Sequence, residues 1–290
     1  MSELKTIIFH QGYQDYLDIN CRITSKTNEI YLLGDRSLKN LDKISNVNFI
    51  EIDKYLKNEQ IAYFKNYFVP YNTTPEKYVW LWYLRIFVMK LFLEENKINQ
   101  IFHLDSDNIL FENINDFLFN SQNAYLINQN FIPTHMTASI HCGLLSNSFF
   151  NEFIKLYEDI FISKSKFNLI NEKILYHQKF GKGGICDMTL FYLLYSKNLL
   201  EVQNLMKPIK SVKNSEEYYF MDNFSDPEGH LGKNQFKTNF QNKITLYMKK
   251  NDSNLEMFDK KKNKRVNLIN IHFQGSSKKF MNSKFLKKYL

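Results

Sequence analysis

Residues 80–111 read WLWYLRIFVMKLFLEENKINQIFHLDSDNILF. Apolar residues at Trp80, Leu84, Phe87, Val88 and Leu91 recur at the spacing of one helical face, and a polar run from Glu94 to Gln100 ends the pattern. Ile101, Phe102 and Leu104 then form a short apolar run that stops at Asp105-Ser106-Asp107. A buried strand that delivers acidic residues into a loop places them at the carboxyl end of a sheet, where open α/β folds bind ligands. Two aspartates one residue apart are weak evidence alone, and a solvated turn explains an isolated pair. In an extended segment, however, residues i and i+2 share a side. Asp105 and Asp107 are therefore expected to converge on one hard cation, Mg²⁺ or Mn²⁺, whose shell water and phosphate oxygens complete.

Working outward, strands alternate with helices. Residues 6–9 form a β-rich run ending at His10-Gln11-Gly12, and residues 16–25 have a helical pattern. Residues 29–33 and 47–52 give two more strands. This alternation predicts βαβ units and a mainly parallel sheet. The loop at His10 is then a natural place for a nucleotide base or ribose. Residues 58–77 are aromatic and end in a proline-marked loop, with Thr73 or Thr74 as a helix cap and Pro75 in the first turn. Beyond the acidic motif, strands are expected at 124–128, 139–145, 199–205 and 267–273, with helices at 148–162 and 188–196. Residues 211–243 read as an irregular, polar acceptor-binding loop around DNFSDPEGHLG. No glycine-rich phosphate fingerprint opens the first helix, which removes the main support for a dinucleotide fold or a P-loop.

A chain of 290 residues with 44% hydrophobic and 16% aromatic content can bury a substantial core. No apolar run approaches the roughly 18 residues of a membrane span, and MSELKTIIFHQG does not read as a signal peptide. Cys21, Cys142 and Cys186 are odd in number and widely spaced, which predicts a reducing cytoplasm rather than a disulfide framework. His10, His103, His135, His141, His177 and His230 share no zinc-ligand spacing. The net charge of +8 is local: residues 259–290 hold ten Lys or Arg and one Asp. A nucleic-acid surface would spread its basic residues, so no nucleic-acid partner is expected. The tail, KKKNKR and then KKFMNSKFLKKYL, suits an anionic membrane surface, with Phe280, Phe285, Leu286, Tyr289 and Leu290 entering the interface. A solvated terminus is the alternative. The expected division is a catalytic domain over 1–258 and a basic segment over 259–290.

Four features fall in an order that resembles nucleotide-sugar glycosyltransferases of the GT-A fold, most like glycosyltransferase family 8. They are YLRIF with Arg85, FHLDSDNIL with the DxD motif, HCGLLSN followed by GKGGICDMTLFYLL with Asp187, and a closing HFQGSSK over residues 272–278. The resemblance spans about residues 6–280. Two positions depart from it: Met188 follows Asp187 where glutamine is usual, and Lys279-Phe280 replaces Pro-Trp. The resemblance implies an α/β, GT-A (Rossmann-like) single domain with a mainly parallel central sheet flanked by helices. It further implies that Asp105, Asp107 and His272 bind Mn²⁺ or Mg²⁺ together with both phosphates of the donor. Lys278 and Gly275 would approach the diphosphate, and His10 and Ser106 would complete the donor contacts. Arg85 would reach the sugar or a phosphate, and Asp187 would face the sugar or the acceptor hydroxyl as the catalytic residue.

Each role has a plainer alternative. Arg85 could snorkel or pair with Glu94 or Glu95, Asp187 could be a helix N-cap, and His272 could be a structural histidine. The expected activity is metal-dependent transfer of a hexose from a UDP-sugar to a glycan or glycolipid acceptor with retention, in the cytoplasm or on the inner membrane face. Inversion with Asp187 as base, and a non-enzymatic glycan- or membrane-binding module, are the competing readings. A nucleotidyltransferase lacks its glycine-rich phosphate loop here.

Overall fold

The computed structural model describes residues 3–128, 136–181, 183–224, 235–239, 241, 243–248 and 255–290. His135, His230 and most of the DNFSDPEGHLG segment lie outside them.

The chain opens with β1 (Lys5–His10), α1 (Asp15–Thr24), β2 (Ile30–Gly34) and β3 (Val47–Glu51). β1 sends Ile7 and Phe9 into one core and Ile8 into another, the period-two alternation of a strand covered on both faces. Short helices α2 (Asp53–Leu56) and α3 (Glu59–Asn66) lead to the long α4 (Glu76–Asn96). Pro75 occupies the cap position of α4, and Asn72 Oδ1 accepts the Thr74 N–H, so neither threonine caps the helix. A left-handed Lys97 ends it, at φ +53°. The single apolar face read from the sequence is too narrow. Val79, Tyr83, Ile86, Met89, Phe92 and Leu93 are buried as well as Leu84, Phe87 and Val88, while Trp80 and Leu91 are half-buried. The helix is enclosed on most sides: Phe64 of α3 stacks on Phe87 at 4.6 Å, and Tyr157 meets Phe87 edge-on at 5.3 Å.

β4 (Gln100–Leu104), β5 (Asn108–Leu110), β6 (Ala124–Ile127) and β7 (Ala138–Ser146) follow, then α5 (Asn147–Tyr157), α6 (Asn168–Phe180), α7 (Asp187–Ser196) and β8 (Gln203–Asn204). A π-helical turn over Glu158–Ile162 extends α5. The central sheet has the order β3-β2-β1-β4-β7-β6-β8. Only β7 runs against the rest, pairing antiparallel with β4 and β6. This is the mainly parallel α/β sheet that the alternation predicts, although the strand expected over 199–205 is reduced to two residues.

The remaining strands, β9 (Ile209–Lys210), β10 (Glu217–Tyr219), β11 (Leu246–Met248), β12 (Leu255–Asp259), β13 (Lys264–Leu268) and β14 (Asn270–His272), build what the sequence reading missed. A second sheet has the order β11-β12-β13-β10-β9, and β14 pairs with β5. The strand expected over 267–273 is thus two strands with different partners. They are divided at Ile269, whose N–H bonds to Tyr219. The basic tail is folded back: Leu286 is fully buried, and Tyr289 packs edge-on against Phe111 at 5.0 Å. Among the described residues no helix is long and apolar enough to cross a membrane.

Candidate active site

β1 and β4 are parallel neighbours, so His10 and the residues after Leu104 emerge at the same edge of the sheet. The chain does not stay extended there. Asn108 N–H closes a turn on the Asp105 carbonyl at 3.0 Å, and Asp105 and Asp107 face different partners. Asn20 of α1 holds this turn from beneath. Its side-chain amide donates to the carbonyls of Ser106 at 2.9 Å and Asn108 at 2.8 Å. Asn108 in turn donates to the His141 carbonyl and accepts from Asn270 at 2.7 Å. Three fully buried asparagines thereby tie the acidic turn to α1, β7 and β14.

Arg85 projects from α4 between two carboxylates. Its Nη1 donates to Asp105 at 2.7 Å and its Nη2 to Asp187 at 2.6 Å. Glu94 and Glu95 are taken by Lys90 and Lys54 instead. Burial would raise the Asp105 carboxyl, but Arg85 together with His103, His141 and His272 holds the group well below the carboxylate range. At Asp187, which is 2% exposed, burial wins over Arg85 and leaves the carboxyl above its ordinary value. Asp187 is the first residue of α7 rather than its cap, a position Cys186 occupies. Lys173 of α6, also buried, donates to Thr189 in the first turn of α7 at 2.8 Å.

Asp107 faces His272 and Lys278. Its Oδ1 lies 3.5 Å from His272 Nε2 and its Oδ2 3.1 Å from Lys278 Nζ. Burial disfavours the His272 imidazolium, yet Asp107 outweighs that and raises the histidine's pKa. His272 Nδ1 meets the Asp222 carbonyl, which only accepts, so Nδ1 carries the proton and Nε2 is the nitrogen turned to Asp107. The His141 ring stacks on His272 at 4.0 Å. His10, edge-on to Tyr16 at 5.9 Å, has its pKa lowered by burial and then by the Lys278 charge. Lys278 lies 4.9 Å over the Tyr16 ring. Gly275 has φ +58° and open space where a Cβ would stand.

Among the described residues no three His, Cys, Asp or Glu side chains form a metal-holding group. The expected trio is divided, with Asp107 beside His272 and Asp105 on Arg85. A divalent cation nevertheless suits the Asp107–His272 pair. The second ring nitrogen is committed to a backbone carbonyl, as in metal-bound imidazoles, and a hard cation commonly takes few protein ligands with phosphate and water as the rest. Around the site, Arg85 Nε, His10 Nε2, His141 Nε2 and Tyr83 Oη are buried without hydrogen-bond partners among the described residues.

The glycine turn before Asp187 is used within the fold. Gly184, at φ +143°, crosses the chain so closely that a Cβ would stand 2.1 Å from the Tyr71 carbonyl. Tyr16, Asn20, His141, Asp222 and Asn270 are participants that sequence reading did not find. Each is recruited from a distant segment, and none carries a local motif.

The chain matches no protein-family profile and no curated protein. Among solved structures it is similar to the PaToxG glycosyltransferase, at 13% identity over 68% of this chain and 73% of that one, with a TM-score of 0.42. The glycosyltransferase GlyE of Streptococcus pneumoniae TIGR4 matches at 15% identity over 70% of this chain and 45% of its own, with a TM-score of 0.31. A cytidylyltransferase from Leptospira borgpetersenii matches at 12% identity over 57% of this chain and 72% of its own, with a TM-score of 0.32. At such scores the likeness does not bear on function, which is read from the site itself.

Proposed function

We propose that the chain is a metal-dependent glycosyltransferase of the GT-A type. It would move a hexose from a UDP-sugar to a glycan or lipid-linked saccharide with retention of anomeric configuration. The observation that carries this reading is Asp107 standing between His272 and Lys278, beside the Arg85 bridge, at the carboxyl end of parallel strands. The donor expels a nucleoside diphosphate, and fixed positive charge where that charge develops lowers the barrier.

Lys278 supplies an ammonium to the departing diphosphate, and the open backbone at Gly275 allows close approach to it. Asp107 and His272, with Asp105 as a third candidate, would hold Mn²⁺ or Mg²⁺, which when bound acts as a Lewis acid on the phosphate oxygens. His10 and Ser106 would complete the donor contacts. Among the described residues Arg85 Nε has no hydrogen-bond partner, and Arg85 would reach the sugar or a phosphate from α4. Asp187 has one oxygen on Arg85 and the other accepting from Met188 N–H. Two engaged oxygens suit an orienting role better than proton abstraction, which favours retention over inversion.

The test is hydrolysis of a panel of nucleotide sugars by wild type and Asp107→Ala, with Mn²⁺ and with EDTA. One donor should be cleaved slowly, with the rate falling at least about a hundredfold on chelation or substitution. Pyrophosphate-dependent exchange into a sugar nucleotide, with no hydrolysis, would replace this reading by a nucleotidyltransferase.

A further inference from the structure

Of the twelve large apolar side chains exposed among the described residues, seven fall in two segments that touch. Tyr63, Tyr67, Val69, Tyr78, Leu175 and Phe180 are each 43–62% exposed. They belong to residues 56–78 and 164–180, which meet at Tyr71 and Phe167 and again at Gly183, just beyond the second segment. Thr73 N–H donates to the Gly183 carbonyl, Gly183 N–H donates to Thr73 Oγ1, and Tyr71 packs on Phe167 at 5.4 Å. Lysines stand beside two of the rings: Lys77 lies 4.9 Å from the Tyr78 ring and Lys179 5.8 Å from Phe180. Six lysines in these two segments are not buried; Lys65 pairs with Glu76 and Lys166 with Asp159, and against Glu59, Glu76, Glu172 and Asp159 the surface keeps a surplus of two positive charges. The tail offers less apolar surface: Leu290 is exposed, but Leu286 is buried and Phe285 and Tyr289 pack against the second-sheet core.

We propose that this aromatic and lysine face docks on a lipid bilayer that carries anionic headgroups. Tyrosine and phenylalanine rings flanked by ammonium groups match an interface in which rings settle at headgroup depth and charges meet lipid phosphate. An exposed apolar cluster of this kind marks an interaction surface rather than ordinary scatter. Phe180 immediately precedes the glycine turn that leads to Asp187, so docking brings that end of the site towards the bilayer. The inference goes beyond the reaction assigned to the site, and its test needs no turnover.

The experiment is co-sedimentation of the full chain with phosphatidylcholine vesicles, with and without phosphatidylglycerol. The expected result is binding to the anionic vesicles that weakens with salt. It should fall at least about tenfold in Tyr63→Ser/Tyr67→Ser/Phe180→Ser and in Lys77→Glu/Lys179→Glu. Both variants should keep the wild-type melting temperature, because the altered side chains are exposed. Lys287→Glu/Lys288→Glu in the tail should bind as wild type does. Three results would each overturn the proposal: no vesicle binding, binding abolished by the tail variant but not by the face variants, or a solution dimer that the face variants dissolve.

Discussion

Arg85 sits between Asp105 and Asp187 with its own side chain only 15% exposed. Removing one partner from a buried ionic group leaves uncompensated charge, which costs about 3–5 kcal/mol. Arg85→Met should therefore lower unfolding free energy in urea by that order, and Arg85→Met/Asp187→Asn should recover part of the loss. Arg85→Lys keeps the charge but loses the fork that reaches both carboxylates, so it should fall between them. Burial also pushes the His103 imidazole down to about 4, against the pull of Asp105. The unfolded chain takes up that proton near its ordinary value of about 6.5, so stability from this group is present above that pH. It is lost as pH falls towards 4, by on the order of 3 kcal/mol. Equilibrium unfolding between these values should show the slope, and His103→Gln should flatten it. At this scale the sequence already pointed to Arg85, Asp105, Asp107, Asp187, His272 and Lys278, because motif order marks them. It did not show which carboxylate each cation meets, since those pairs join segments up to 171 residues apart.

The acidic turn depends on elements that reach it through amides rather than charges. Asn270 donates to Asn108 and to the Met221 carbonyl and accepts from Met221 N–H, all within the buried interior. Asn270→Ala strands several polar groups, each costing about 1–3 kcal/mol. Urea denaturation should record a loss of at least about 2 kcal/mol, with weaker UDP binding from the loosened turn. Gly184→Ala should likewise lower both melting temperature and activity, because its Cβ meets the Tyr71 carbonyl head-on. Helix α4 and strands β1, β2, β3, β4 and β7 were legible from their long or alternating apolar runs. Helix α3 was hidden in a short aromatic stretch for which no helical period was read. Helix α6 could have been found from the buried Ile170 and Ile174, four residues apart. The second sheet has strands of two to five residues, too short to show a period.

Across the molecule, the βαβ alternation fixed the class of the sheet but not its order, and gave no sign that β7 would run against its neighbours. Nor did the tail's composition reveal that all of its large apolar residues but Leu290 pack against the fold, since burial depends on what the chain folds against. The arrangement leaves one edge of the sheet holding Asp107, His272, Lys278 and the Arg85 bridge. A site built in this way should bind a nucleoside diphosphate weakly alone and tightly with a cation. Calorimetric titration of UDP into the protein, with Mn²⁺ and with EDTA, tests that most directly. The account predicts metal-dependent binding that weakens at least about tenfold in Asp107→Asn, a loss of about 1.4 kcal/mol. Absence of UDP binding in Mn²⁺, or binding indifferent to metal and to Asp107, would contradict it.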